Sequence, residues 1–129
     1  MKLGTLAGAP PIVCGPELTL RDVCDVMLNE DIGSILIVEG AELLGILTDR
    51  DLVRATAAGA SSDALVTDWM TKDPDTFRSE TMLRDAVTWI LDTGYRHMPV
   101  VDDGAPLAVV SIKDLLFAVS QALSEQSEA

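Results

Sequence analysis

Gly45-Ile46-Leu47-Thr48-Asp49-Arg50-Asp51-Leu52 recurs as Ala108-Val109-Val110-Ser111-Ile112-Lys113-Asp114-Leu115, so the chain carries an internal duplication. The offset between the two aspartates is 114 − 51 = 63. Sliding the sequence on itself by that step also pairs Pro11 with Pro74, Glu17 with Glu80, Leu20-Arg21-Asp22 with Leu83-Arg84-Asp85, and Leu28 with Leu91. A 63-residue step in a 129-residue chain leaves little outside the repeat. Each half alone is small for an independent core, so the halves are expected to pack together with clefts between them.

Each half reads as a short strand, a helix, two strands and a second helix. Leu20, Val23, Cys24, Met27 and Leu28 recur at helical spacing and predict an amphipathic helix, with Leu83, Ala86, Val87, Ile90 and Leu91 as its counterpart. Ser34 to Val38 and Leu43 to Leu47 flank Glu39-Gly40-Ala41-Glu42, a hairpin pattern that returns as Met98 to Val101, Asp102-Asp103-Gly104-Ala105 and Leu107 to Val110. Thr48 and Ser111 open the second helix of each half, ending near Ala57 (with Gly59 as the stop) and Leu123. The expected division is a first repeat over 1–60, a connector over 61–72 with a short helix near Val66, a second repeat over 73–123, and a flexible acidic tail over 124–129.

Nine Lys and Arg against 21 Asp and Glu leave a formal charge of −12, which argues against nucleic acid and against anionic membranes. The longest aliphatic run, Ile35 to Val38, is far short of the ~20 residues a membrane span needs. No apolar leader precedes Gly4, Pro10 and Pro11, and the chain reads as cytoplasmic. Cys14 and Cys24 form no C-x-x-C and have no company of histidines, which points to small core residues rather than a disulfide or a metal site. A redox role for Cys14 and Cys24 is a lesser alternative. His97 is the only histidine, and no nucleophile with an orienting acid accompanies it, so no catalysis is expected.

Thr48-x-x-Asp51 and Ser111-x-x-Asp114 each have a plain explanation as helix caps. They also occur at equivalent places, directly after a buried strand, where the first turn of a helix can face a cleft. There the hydroxyl can meet a phosphate oxygen, and the two carboxylate oxygens suit the 2′,3′-diol of a ribose.

Gly45 to Asp51, Asp31-Ile32-Gly33-Ser34, and Gly94-Tyr95-Arg96-His97-Met98-Pro99-Val100-Val101-Asp102, taken in order and with the duplication, resemble a tandem cystathionine-β-synthase domain pair, the Bateman module. The resemblance covers roughly Pro11 to Leu123. It implies an α/β fold of two pseudo-twofold-related β-α-β-β-α repeats with small mixed sheets, whose clefts bind adenosine derivatives such as AMP, ADP, ATP or S-adenosylmethionine as regulatory ligands, with no cofactor required. Carried over by position, one composite cleft would use Thr48 and Asp51 with Asp75, Thr76, Arg96, His97 and Met98. The other would use Ser111 and Asp114 with Ile12, Val13, Gly33, Ser34 and Ile35. Asp75 stands where the family usually has an apolar residue against adenine, and Ala108 replaces the usual glycine before the second turn. Arg96-His97 offers cations where Gly33-Ser34 offers none, so phosphorylated ligands are expected to favour the Thr48 cleft.

Val26 and Trp89 sit at equivalent positions off the apolar stripe of their helices and suggest a homodimer interface. The leading expectation is thus a nucleotide-sensing homodimer that acts on a protein effector in trans. A ligand-free dimerisation or scaffold module, whose turns only cap helices, is the alternative.

Overall fold

The computed structural model describes residues 1–6 and 10–128. Among them four helices and six strands follow in the order β1 (Val13–Cys14), α1 (Leu20–Glu30), β2 (Ser34–Glu39), β3 (Glu42–Thr48), α2 (Asp49–Ala57), β4 (Thr71–Lys72), α3 (Leu83–Thr93), β5 (His97–Asp102), β6 (Ala105–Ser111) and α4 (Ile112–Glu128). Short 3-10 turns occupy Leu3–Leu6 and Val66–Asp68. The architecture is α/β, as expected. None of the helices among the described residues is long and apolar enough to cross a membrane.

The chain divides into two compact units. The first comprises Pro11–Pro74 with Asp103–Pro106; the second joins the N-terminal residues to Asp75–Asp102 and to the chain from Leu107 onward. In the first unit the sheet order is β1-β2-β3-β4, with β1 parallel to β2 and the other pairs antiparallel. Its core gathers Val23 and Met27 of α1, Ile35 and Ile37 of β2, Leu47, Ala55 and Val66. The second unit pairs β5 with β6 over a core of Phe77, Ala86, Ile90, Met98, Val100, Val110, Leu115 and, from the far end of the sequence, Leu3. The β5–β6 hairpin turns at Asp103 and Gly104, both at positive φ (50° and 79°), the Asp-Gly pair that a two-residue I′ turn favours.

The 63-residue step is visible in the backbone bonding. Cys14 pairs with Ile37 in parallel, and Phe77 bridges Val100 in the same sense, each residue 63 positions on. In the first unit Leu20 N–H donates to Ala64 O at 2.9 Å and Val66 N–H to Leu18 O at 3.0 Å. In the second, Leu83 N–H donates to Met1 O at 2.7 Å and Leu3 N–H to Thr81 O at 2.8 Å. Residues 1–6 therefore do for α3 what the connector around Ala64 to Asp68 does for α1. Reading 1–60 as one repeat places this N-terminal segment by chain order, but it packs in the second unit. The cause is Leu3, which is fully buried there as Val66 is in the first unit.

Two further expectations are corrected. Leu28 and Leu91, read as part of the apolar stripe, are 80% and 77% exposed. At about 100° per residue each falls at the edge of its stripe, so Met27 and Ile90 turn inward instead. Helix α4 also continues through Glu128 rather than ending near Leu123 in a flexible tail. Ser124 to Glu128 contains no Gly or Pro to stop it, and Glu and Gln favour helix. Ala129 of the expected tail lies outside the described residues.

Candidate functional site

Thr48 ends β3 and caps α2 with extended backbone (φ −117°, ψ 167°). Its N–H donates to Asp51 Oδ2 at 2.8 Å, its hydroxyl lies 3.2 Å from the same oxygen, and Asp51 N–H donates back to Thr48 Oγ1 at 3.4 Å. The capping box predicted from the spacing is thus closed. Asp51 is 6% exposed, an unusual depth for a carboxylate, and its other oxygen, Oδ1, accepts from Arg54 Nη2 at 2.5 Å. Arg54 itself is more than half exposed and folds back one helical turn to reach it. The turn is held against β2: Asp49 N–H donates to Gly33 O at 3.0 Å, and Ser34 pairs with Thr48 across the sheet.

The second unit repeats this arrangement with different surroundings. Ser111 N–H donates to Asp114 Oδ2 at 2.9 Å, and Asp114 N–H donates to Ser111 Oγ at 3.2 Å. Ile112 N–H bonds Arg96 O at 2.9 Å, the counterpart of the Asp49–Gly33 bond. Asp114 is exposed, and the position equivalent to Arg54 is Phe117, which is 63% exposed and carries no charge. Sequence reasoning named both aspartates but missed Arg54. Its signal was present as Asp51-x-x-Arg54, an opposite-charge pair at i,i+3 on one helix face.

The other expected site residues fall as follows. In the first unit Gly33 and Ser34 lie beside the Thr48 turn, while Ile12 and Val13 flank β2 at the sheet edge. Ile35 is fully buried in the core, so its side chain is committed to packing. In the second unit Asp75, Thr76 and Arg96 are exposed, His97 is half-buried, and Met98 is a core residue. Each residue set drawn from the resemblance is divided in membership, Thr48 and Asp51 belonging to the first unit and Ser111 and Asp114 to the second.

Val26 and Trp89 are half-buried against the cores of their own units. Trp89 meets Phe77 edge to face with ring centres 5.7 Å apart and stacks on Tyr95 at 5.4 Å. Cys14 is buried on β1, and burial, with the nearby Glu17 charge adding to it, pushes its thiol from 9.0 up to about 11. A thiol so placed stays protonated at neutral pH, which weighs against a reactive cysteine. Among the described residues no group of three or more His, Cys, Asp or Glu is placed to hold a metal.

The model of the CBS domain matches residues 4–58 and again 66–121. The chain belongs to the CBS-domain family. Its two matches are the two copies of the 63-residue repeat, and the second starts at Val66, the position equivalent to Leu3. A 17.7 kDa protein of Acidianus ambivalens is 31% identical over 120 residues, covering 92% of this chain and 73% of its own length. A CBS domain protein of Pyrobaculum aerophilum, solved in complex with AMP, superposes with a TM-score of 0.87 at 22% identity, covering 97% of this chain and 99% of that one. The CBS domain pair of protein MJ0100, solved with 5′-methylthioadenosine and S-adenosyl-L-methionine, has a TM-score of 0.87 at 18% identity, over 95% and 98% of the two chains. CBS proteins can be much longer: the chain spans only 21% of an Arabidopsis thaliana relative that is 28% identical.

Proposed function

We propose that this CBS-domain pair is a non-catalytic regulatory module that senses an adenosine derivative, of the class AMP, ADP, ATP or S-adenosylmethionine, and acts on a protein partner. The observation that carries the reading is the repeated turn: a hydroxyl and a carboxylate fixed by a closed capping box at the end of a paired strand, once at Thr48 and Asp51 and again at Ser111 and Asp114. A carboxylate offers the two acceptors that a ribose diol requires. Arg96, an exposed cation, suits a ligand phosphate. Crystallised relatives of the same fold hold AMP, or 5′-methylthioadenosine with S-adenosylmethionine. The module is further proposed to act as a homodimer through α1 and α3, where Leu28 and Leu91 stand out at equivalent positions beside the half-buried Val26 and Trp89. Light scattering that finds a monomer at high micromolar concentration overturns that part.

The decisive experiment is thermal unfolding with each adenosine derivative at millimolar concentration. A ligand specific for the native state adds about 2.7 kcal/mol at a hundredfold excess over Kd, which raises Tm by several degrees in a domain of this size. Asp51→Asn and Asp114→Asn together should remove the shift. A second reading, a ligand-free scaffold, is favoured by the hydrogen bonds that already occupy both oxygens of Asp51. No shift with any of these ligands decides for the scaffold.

A further inference from the structure

The two turns differ most in what stands on the aspartate. Oδ2 of each carboxylate already accepts from its capping residue, so a ribose diol that uses both oxygens depends on Oδ1 being open. At Asp114 no hydrogen bond to Oδ1 occurs among the described residues, and the side chain is exposed. At Asp51 that oxygen is taken by Arg54 Nη2, and the carboxylate lies nine-tenths buried beneath it. Resting on the adenosine-sensor reading, we infer that Arg54 is a specificity-determining residue: its guanidinium pairs with Asp51 Oδ1, and a diol must displace it.

Displacement is physically feasible. The guanidinium is more than half exposed, and pairs of that kind are worth little net of solvation. Once released, Arg54 remains tethered one helical turn from Asp51 with no carboxylate partner. An uncharged nucleoside leaves that cation unpaired, whereas a phosphorylated nucleoside carries an anion that Arg54, reaching back from the last turn of α2, can pair. Arg54 thus opposes adenosine at the Thr48 turn and tolerates AMP. Phe117, its counterpart on α4, supplies neither the competition nor the charge, so the Ser111 turn makes no such distinction.

The test is calorimetric titration of adenosine and AMP into Arg54→Ala and Arg54→Gln proteins, both in an Asp114→Asn background so that the Thr48 turn alone is read. Adenosine should bind about two- to fivefold tighter than to the Asp114→Asn parent, the range that loss of one partly exposed ion pair allows. The ratio of AMP to adenosine affinity should fall in the same variants, and adding Asp51→Asn should abolish the gain. A merely structural Arg54 would weaken both ligands together. If AMP binds the parent and adenosine binds the Arg54 variants no tighter, this inference fails while the sensor reading stands. If neither ligand binds parent or variants at millimolar concentration, this inference fails, and the sensor reading falls with it only if the thermal screen of the wild-type protein shows no shift with any of the adenosine derivatives.

Discussion

Leu3→Ala tests the exchange of N-terminal segments, since residue 3 of a chain is ordinarily dispensable. Here Leu3 is fully buried in the core that holds Phe77, Ile90 and Val100. Truncating a buried leucine costs about 2–5 kcal/mol, depending on how far the site collapses. The segment could instead peel away, which would cap the loss at its own docking energy. It is held by Leu3 N–H on Thr81 O, Gly4 N–H on Ser79 O and Leu83 N–H on Met1 O, with the exposed Lys2–Glu80 ion pair adding little. Ser79 is itself fixed by Asp102, which accepts from both its hydroxyl and its N–H. A loss in the lower half of the range, about 2–3 kcal/mol, is therefore expected. Urea unfolding read by Trp89 fluorescence in a Trp69→Phe background reports on this unit, because Trp89 packs against its core and Trp69 against the other. Lys2→Ala serves as the surface control and should change stability by less than about 1 kcal/mol. If Leu3→Ala also stays within about 0.5 kcal/mol of wild type, residues 1–6 are not part of the second unit's core.

Met82→Thr is expected to stabilise. Met82 occupies the N-cap of α3 with extended backbone and no side-chain cap, while Asp85 already stands at the position that Asp22 uses to close the box with Thr19. The gain should be about 0.5–1 kcal/mol after the loss of some methionine burial, read as a higher Tm, and an unchanged or lower Tm refutes the capping argument. Cys14 should resist thiol reagents at pH 8 while Cys24, half-buried, reacts faster; equal rates would mean β1 opens readily. Because folding raises the Cys14 thiol from 9.0 to about 11, its contribution to stability is complete below pH 9 and is lost as pH rises toward 11. Cys14→Ala should flatten that part of the pH–stability curve, and an unaltered slope would show that other groups set it.

The local elements were legible because their signals are local. The apolar runs on either side of Gly40 and Gly104, the helical spacing of Val23 and Met27, and the capping residues Thr48 and Ser111 each act within a few positions, and the elements form where those signals lie. The place of residues 1–6 was not legible, since Leu3 is an apolar residue without periodicity and only a core between Phe77 and Leu115 gives it a partner. Leu3 and Val66 stand at the 63-residue step, and the structure gives them matching bonds, Leu3 N–H to Thr81 O ahead of α3 and Val66 N–H to Leu18 O ahead of α1. At the site, residue identity revealed the two carboxylates but not their occupancy. Whether Asp51 meets solvent or Arg54 depends on a rotamer, and rotamers are decided by burial that a sequence does not display.

Where the two copies differ, the difference between Gly45 and Ala108 follows from their neighbours. Gly45 on β3 could not carry a side chain: a Cβ there would lie 2.6 Å from the Thr71 carbonyl and 2.6 Å from Met70 Sδ, and the carbonyl is fixed because β4 pairs with β3 at that point. In the second unit no strand among the described residues pairs with β6 from outside β5, and its counterpart is Ala108. Thr19 keeps the cap that Met82 lacks, and Arg54 keeps the charge that Phe117 lacks. Thr48, Ser111 and both aspartates stay, with their hydrogen bonds, through all of this. A cap alone would not require that: α1 and α3 share one frame, yet the second dispenses with its capping side chain. The S/T-x-x-D turns stand in both copies where the other cap stands in one, and the adenosine-sensor reading supplies a reason for the difference, since a carboxylate that must hold a ligand has no substitute while a cap does.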